Sequence, residues 1–338
     1  MVSIEDVARR AGVSTATVSR ALSGNGPVSA KAREKVADAA NALGYVVSSS
    51  ASSLASGRTK NVGLMVPYLA RWFFTAAVEG AQQALMRHGY DVTLYNLSGG
   101  TAERDSVFEV SLQRQRIDGI IAIALELSPQ ESATLHALGK PVVGVGGPLE
   151  GIRTLTLDDI AISRLATEHL LSLGHTRIAH MGGSETYDLD FHIPTNRRVG
   201  YEMALREAGI EPKPEYFSGA DFTIEGGYHA AKQLLGDPRD RPTAIFAAAD
   251  EMAIGCILAA RDLGLVVPRD ISIVGIDGHE LSAFFGLTTI AQYPGAQGEH
   301  AVDILLNELR PGKHAEVPEN IPLDYDLIVR SSTARPPE

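Results

Sequence analysis

From Asn61 onward the chain alternates short, almost wholly apolar runs with amphipathic stretches, and this restricts the fold more than any other feature. VGLMV is followed by an amphipathic segment from Phe73 to His88, then by DVTLYNL, GIIAIAL and PVVGV. A second series begins at RIAHM and continues through TAIFAA, Ala253 to Leu263 and ISIVGID. Such runs alternating with helical patterns predict an α/β fold with parallel strands covered by helices on both faces. Two series predict two lobes, each with a doubly wound parallel sheet. A ligand cleft is expected between them, because open parallel sheets take ligands beyond the carboxyl ends of their strands.

The first 60 residues follow a different rule. Ser3 can cap a helix from Ile4 to Ala11, with Asp6 placed to close a capping box and Ile4, Val7, Ala8 and Ala11 on one face. Gly12 breaks it. Ser14 can cap a second helix, Thr15 to Leu22, in which Val18 and Leu22 face inward while Thr15, Ala16 and Arg20 point elsewhere. Ser29 can cap a third that runs to Leu43 and stops at Gly44, with Val36, Ala40 and Leu43 as its stripe. Two short helices joined by a Gly-containing turn fit a helix-turn-helix, although a plain three-helix bundle shows the same pattern. In the first reading Thr15 and Ala16 offer a hydroxyl and methyl groups to the major groove, and Arg20 can fork onto guanine. Arg9, Arg10, Lys31, Arg33 and Lys35 would supply phosphate contacts.

Charge supports that division. The net charge is −11 over 338 residues, yet residues 1 to 60 carry eight Lys/Arg against four Asp/Glu, and the remainder 22 against 37. A short basic end on an acidic body excludes indiscriminate nucleic-acid binding by the whole. Between them, SSSASSLASG at 48–57 holds six serines and one bulky apolar residue, Leu54. Serine competes with helical hydrogen bonds, so this segment is the expected linker. The acidic start does not resemble a secretory signal, no apolar run suits a membrane span, and the lone Cys256 has no internal disulfide partner. These features point to a reducing cytoplasm. GVGGP is not a dinucleotide fingerprint, and no nucleophile elbow or phosphate loop suggests an enzyme.

The stretch SIEDVARRAGVSTATVSRALSGNGPVSAKAREKVADAANALGYVVSSSASSLASGRT resembles the headpiece and hinge of the lactose/galactose repressor family (LacI/GalR), with DVA, AGVS, TVSRAL, LGY and LASGRT in order and spacing. HLLSLGHTRIAHMGG, RRVGYEMAL, DEMAIGCILAARDLGLVVPRDISIVGID and LTTIAQ are similar to that family's ligand-binding region. The resemblance implies a helix-turn-helix headpiece at 1–47, a hinge at 48–60 and a two-lobed periplasmic-binding-protein-like domain at 61–330, followed by a tail at 331–338. One lobe would hold about 61–161 and 291–320, the other about 162–290 and 321–330. It further implies a repressor without a cofactor, homodimeric on a pseudo-palindromic operator and controlled by a small molecule, most simply a sugar or glycoside.

On the same basis the expected DNA-binding residues are Ser14, Thr15, Ala16, Thr17, Ser19, Arg20, Ser29, Leu54 and Arg58. Leu54 would be a minor-groove wedge, or else pack on a partner hinge or the body. The expected effector residues are Trp72, Phe73, Arg197, Phe222, Asp250 and Asp277. Arg197 stands in an RxxG pattern, and Asp250 and Asp277 follow TAIFAA and ISIVG at their carboxyl ends. Asp250 suits helix capping equally well, Arg197 or Asp277 a structural ion pair, and Trp72 and Phe73 contacts between subunits. The chain departs from the family at Ala249, where an Asn is usual, at Gly278, and at Arg71-Trp72-Phe73-Phe74. Arg71 leaves open a phosphorylated or acidic sugar; a nucleobase effector and a sugar-binding protein without DNA affinity are further alternatives. Asp188, Asp190 and His192 alternate in a loop, where a metal site competes with a plain cleft rim. His169 and His175 are expected to be structural, and Cys256 a buried small hydrophobe.

Overall fold

Three capped helices open the chain. In the computed structural model, which describes residues 2–23, 26–45, 58–98, 101–114, 116–183, 192–310 and 318–337, they are α1 (Ile4–Ala11), α2 (Thr15–Ser23) and α3 (Ala30–Leu43). Ser3 and Asp6 form the reciprocal capping box, the Ser14 hydroxyl accepts from the Thr17 N–H at 3.2 Å, and Ser29 accepts from Ala32 N–H. These caps satisfy amides that a helix N-terminus leaves without partners. Val7, Ala8, Ala11, Val18, Ala21, Val36, Ala39 and Ala40 form one buried cluster. Leu54 and the rest of 46–57 lie outside the described residues.

The chain divides into two compact units, Met1–Asn61 with Arg116–Asp118, and Val62–Gln115 with Gly119–Glu338. In the first, the Asp118 carboxylate accepts from the Thr59 N–H and hydroxyl and from the Lys60 N–H at 2.7–2.9 Å, which anchors the end of the segment that follows the linker.

The second unit contains two six-stranded sheets. One has β1 (Asn61–Val66), β2 (Asp91–Asn96), β3 (Gly119–Ile123), β4 (Val142–Gly146), β5 (Arg153–Thr156) and β11 (Asn320–Pro322), in the order β11-β5-β4-β3-β1-β2. The other has β6 (Ile178–Gly183), β7 (Phe217–Ala220), β8 (Ala244–Ala247), β9 (Ser272–Asp277), β10 (Thr288–Ala291) and β12 (Asp326–Ile328), in the order β12-β10-β9-β8-β6-β7. Apart from the marginal strand β12, antiparallel to β10, each sheet repeats one doubly wound order. The apolar runs reflect burial on both sides. In the second sheet Ile245, Ala247 and Ile273 belong to one cluster, while Ala244, Phe246, Val274 and Ile276 belong to another across the pleat.

Helices α4 (Trp72–Arg87), α6 (Pro129–Ala137) and α11 (Pro294–Leu309) accompany the first sheet, along with α5 (Thr101–Ser106), which continues as a π turn and a 3-10 turn to Arg114. The second carries α7 (Asp159–Ser172), α8 (Ile193–Glu207), α9 (Ile224–Leu234) and α10 (Asp250–Asp262). α4 and α11 approach at backbone distance: a Cβ on Gly80 would stand 2.1 Å from the Gly295 carbonyl oxygen. The chain passes between the sheets three times, after β5, after β10 and between β11 and β12. No helix among the described residues is long and apolar enough to cross a membrane.

Candidate functional sites

On the three-helix unit, α2 buries Val18 and Ala21 and half-buries Leu22, leaving Thr15, Ala16, Ser19 and Arg20 exposed with Ser14. Thr17 is half-buried and its hydroxyl lies 2.9 Å from that of Ser14, so both hydroxyls serve the cap. Ser29 is exposed while capping α3, and Arg58 is half-buried and has an interaction partner. Arg10, Lys31, Arg33 and Lys35 are exposed, and Arg9 is exposed in an ion pair with Asp6 at 3.1 Å.

Between the carboxyl ends of the two sheets lies a partly open cleft with a cavity volume of about 70 Å³. Arg71, Phe73, Phe74, Ala124, Gly146 and Leu157 line it from the first lobe, together with Gln292 and Gln297. Asp159, Ile193, Pro194, Arg197, Phe222, Ala249, Glu251 and Asp277 line it from the second. Phe73, Arg197, Phe222 and Asp277 therefore meet there.

Trp72 and Asp250 do not line this cleft. The Trp72 indole instead lies on the His279 imidazole, ring centres 4.5 Å apart, and its backbone N–H donates to Glu251 at 3.3 Å. Asp250 is the first residue of α10, with Ala249 at the N-cap, so its side chain does not cap its own helix. One carboxylate oxygen accepts from the His279 N–H at 2.8 Å and the Ser282 hydroxyl at 2.7 Å, fixing the turn after β9. The helix start aims the carboxylate away from the cleft, an orientation that chain position does not reveal. Burial pushes its pKa up to about 6, opposed by these hydrogen bonds.

Arg197 lines the cleft and also stands in a buried ion pair. Its Nε donates to Asp159 at 2.7 Å and its Nη1 to the Ala248 carbonyl, with both charged side chains almost wholly buried. Asp159 still has a raised pKa, since burial outweighs the guanidinium. Asp277 sits at φ 130°, a strained value for a residue with a side chain, which directs its carboxylate from the strand end. It accepts from the Gln292 carboxamide at 2.8 Å, and Gln297 donates to the Gln292 carbonyl at 2.7 Å. Burial, with Asp250 and Glu251 nearby, holds the Asp277 carboxyl well above the ordinary range against the pull of Arg197.

Sequence reasoning passed over Asp159, Glu251, Gln292 and Gln297. Gln292 was accessible by the logic applied to Asp277, for it directly follows β10. His175 is buried among Thr243, Ser272 and the Ala334 carbonyl, His169 pairs with Thr333, and the Cys256 thiol is buried against Met181. Among the described residues no group of His, Cys, Asp and Glu could hold a metal; His192 is exposed there, and Asp188 and Asp190 lie outside them.

A family model described as bacterial regulatory proteins, lacI family, matches residues 3–48, and one described as a periplasmic binding protein-like domain matches 167–333. The chain is 33% identical over 340 residues to the HTH-type transcriptional repressor PurR of Vibrio vulnificus (strain CMCP6), covering 99% of each. The solved lac repressor dimer bound to operator and the anti-inducer ONPF aligns with a TM-score of 0.82 at 29% identity, over 98% of this chain and 99% of that one. A transcriptional regulator CelR–cellobiose complex aligns with a TM-score of 0.70 at 29% identity, over 98% and 100%. A helix-turn-helix unit and a two-sheet binding unit on one chain define a DNA-binding transcription regulator. The chain belongs to the LacI family of bacterial regulatory proteins.

Proposed function

We propose that the protein is a repressor that binds a pseudo-palindromic operator as a homodimer and is controlled by a neutral sugar or small glycoside held in the cleft. The exposed face of α2 supports major-groove readout by Thr15, Ala16, Ser19 and Arg20, with Ser14, Thr17, Ser29 and Arg58 positioning the unit on the backbone. A role for Leu54 as minor-groove wedge rests on its hinge motif alone. In the cleft, Asp277 and Gln292 offer acceptors and donors to vicinal hydroxyls, Arg197 a further donor, and Phe73 and Phe222 apolar faces for C–H groups.

The observation that carries the effector class is charge. Three carboxylates, Asp159, Glu251 and Asp277, line the cleft against two guanidinium groups, Arg71 and Arg197. Arg197 is committed to Asp159, and the positive charge of Arg71 is felt by Glu251. An added phosphate or carboxylate would find Arg197 already engaged by Asp159 and Arg71 beside Glu251, and it would further disfavour ionisation of three carboxyls whose pKa values burial has already raised, so the acidic-sugar reading loses ground. Calorimetry of the full chain against neutral mono- and disaccharides and their phosphate esters tests this. Neutral ligands should bind and their esters should not; binding of the esters alone would reverse the assignment.

A further inference from the structure

Two adjacent residues at the start of α4 reach across the cleft to three separate elements of the other lobe. The Arg71 guanidinium lies 4.1 Å above the Tyr68 ring of its own lobe and 5.4 Å from the Phe222 ring, on the loop after β7. The Trp72 N–H donates to Glu251 at the start of α10, and the Trp72 ring covers His279 on the turn after β9. That turn is braced from beneath: Asp250 accepts from His279 N–H and Ser282, and His279 Nδ1 accepts from the Leu281 N–H at 2.9 Å. The imidazole meeting the indole is thus held from its own lobe, and Asp250 is its positioning residue.

We infer that Arg71 and Trp72 form a clasp that ties the two lobes together across the mouth of the cleft, its contacts made and released as a unit. Each contact alone is weak, a single cation over a ring and a single pair of tilted rings. Carried on consecutive residues of one helix start, they share the entropy of ordering that segment, so losing one loosens the others. The clasp lies on the rim of the site proposed for the effector, but its integrity is readable without any effector.

The chain has one tryptophan, so its emission reports on the clasp alone. The test is acrylamide quenching and the emission maximum of the full-length, effector-free protein, comparing wild type with Phe222→Leu and His279→Ala. Phe222 touches Arg71 and lies on a different loop from His279, and leucine keeps its apolar bulk. A cooperative clasp requires Phe222→Leu to raise the quenching constant of Trp72 about two-fold and shift its emission to the red, as His279→Ala does. If Phe222→Leu lacks a cooperative melt, Arg71→Gln, which removes the charge over the ring, must give the same shift. Wild-type emission and quenching in the folded Phe222→Leu or Arg71→Gln protein would overturn the clasp, whether or not His279→Ala uncovers the indole locally. Failure of every sugar to bind, with these shifts present, would count against the effector class and leave the clasp standing.

Discussion

Replacing Arg197 with Ala separates a residue that only touches ligand from one that also supports the fold. The guanidinium and the Asp159 carboxylate are 6% and 7% exposed and 2.7 Å apart. Removing one member of a buried pair strands the other in a low-dielectric site, at a cost of about 3–5 kcal/mol. For a unit of this size that lowers Tm by about 6–20 °C. Its pH dependence has a defined sign. A carboxyl whose folded pKa is raised contributes stability present below its unfolded pKa and lost as pH rises through the folded value. Burial already raises Asp159 in the wild type, and the variant removes the charge that opposes it, so the raised window extends to higher pH. The gap between wild type and Arg197→Ala should therefore be wide at about pH 8 and shrink toward about pH 5 as Asp159 takes up a proton. Urea unfolding followed by far-UV circular dichroism measures it. Arg197→Met with Asp159→Leu together should recover much of the loss, because apolar residues of similar volume leave no charge buried. A variant that melts with the wild type at both pH values while losing sugar affinity would refute the reasoning and make Arg197 a ligand contact alone.

The Asp250 carboxyl, raised from 3.8 to about 6 chiefly by burial, should cost about 3 kcal/mol of stability as pH rises through that interval, and Asp250→Asn should remove this slope in pH-resolved melts. Gly80→Ala should force α4 from α11, destabilising by about 1–3 kcal/mol or more in urea unfolding, since its Cβ meets the Gly295 backbone and not a movable side chain. Ser14→Ala should destabilise the three-helix unit by about 1 kcal/mol through loss of the α2 cap, read by calorimetric melting. Arg20→Ala should weaken operator binding by about 1–3 kcal/mol and relax base preference at one position per half-site, measured by anisotropy across single-base operator variants.

What the sequence made legible was local. The three headpiece helices were readable because Ser3, Ser14, Ser29, Gly12 and Gly44 punctuate them and the apolar spacing agrees. The first strands were readable because burial on both faces leaves VGLMV and GIIAI with no polar residue. β5, β7, β10, β11 and β12 escaped notice because strands of three or four residues such as RTLT or DLI carry too few positions for a pattern. In the cleft, being beyond a strand's carboxyl end was enough to select Asp277, but not to tell where a side chain points. Asp250 follows the same rule and turns beneath the His279 turn. Trp72 is next to Phe73 in sequence, yet a helical step of about 100° sends one ring to the rim and the other inside. The Arg197 partner stands 38 residues away, a pairing only the packing of α7 on α8 creates.

The threefold passage of the chain between the sheets determines how the lobes can be parted. A peptide bond cut after β5 leaves the crossings after β10 and between β11 and β12 intact, and the same holds for a cut at either other place. No single nick releases a lobe, and no one breakpoint divides the gene into two fragments that each encode a whole one. Three covalent crossings also share any load that pulls the lobes apart, so one can bend while the other two still tether them. An effector wedged in the cleft thus works against a triple tether, which limits how far it can part the lobes.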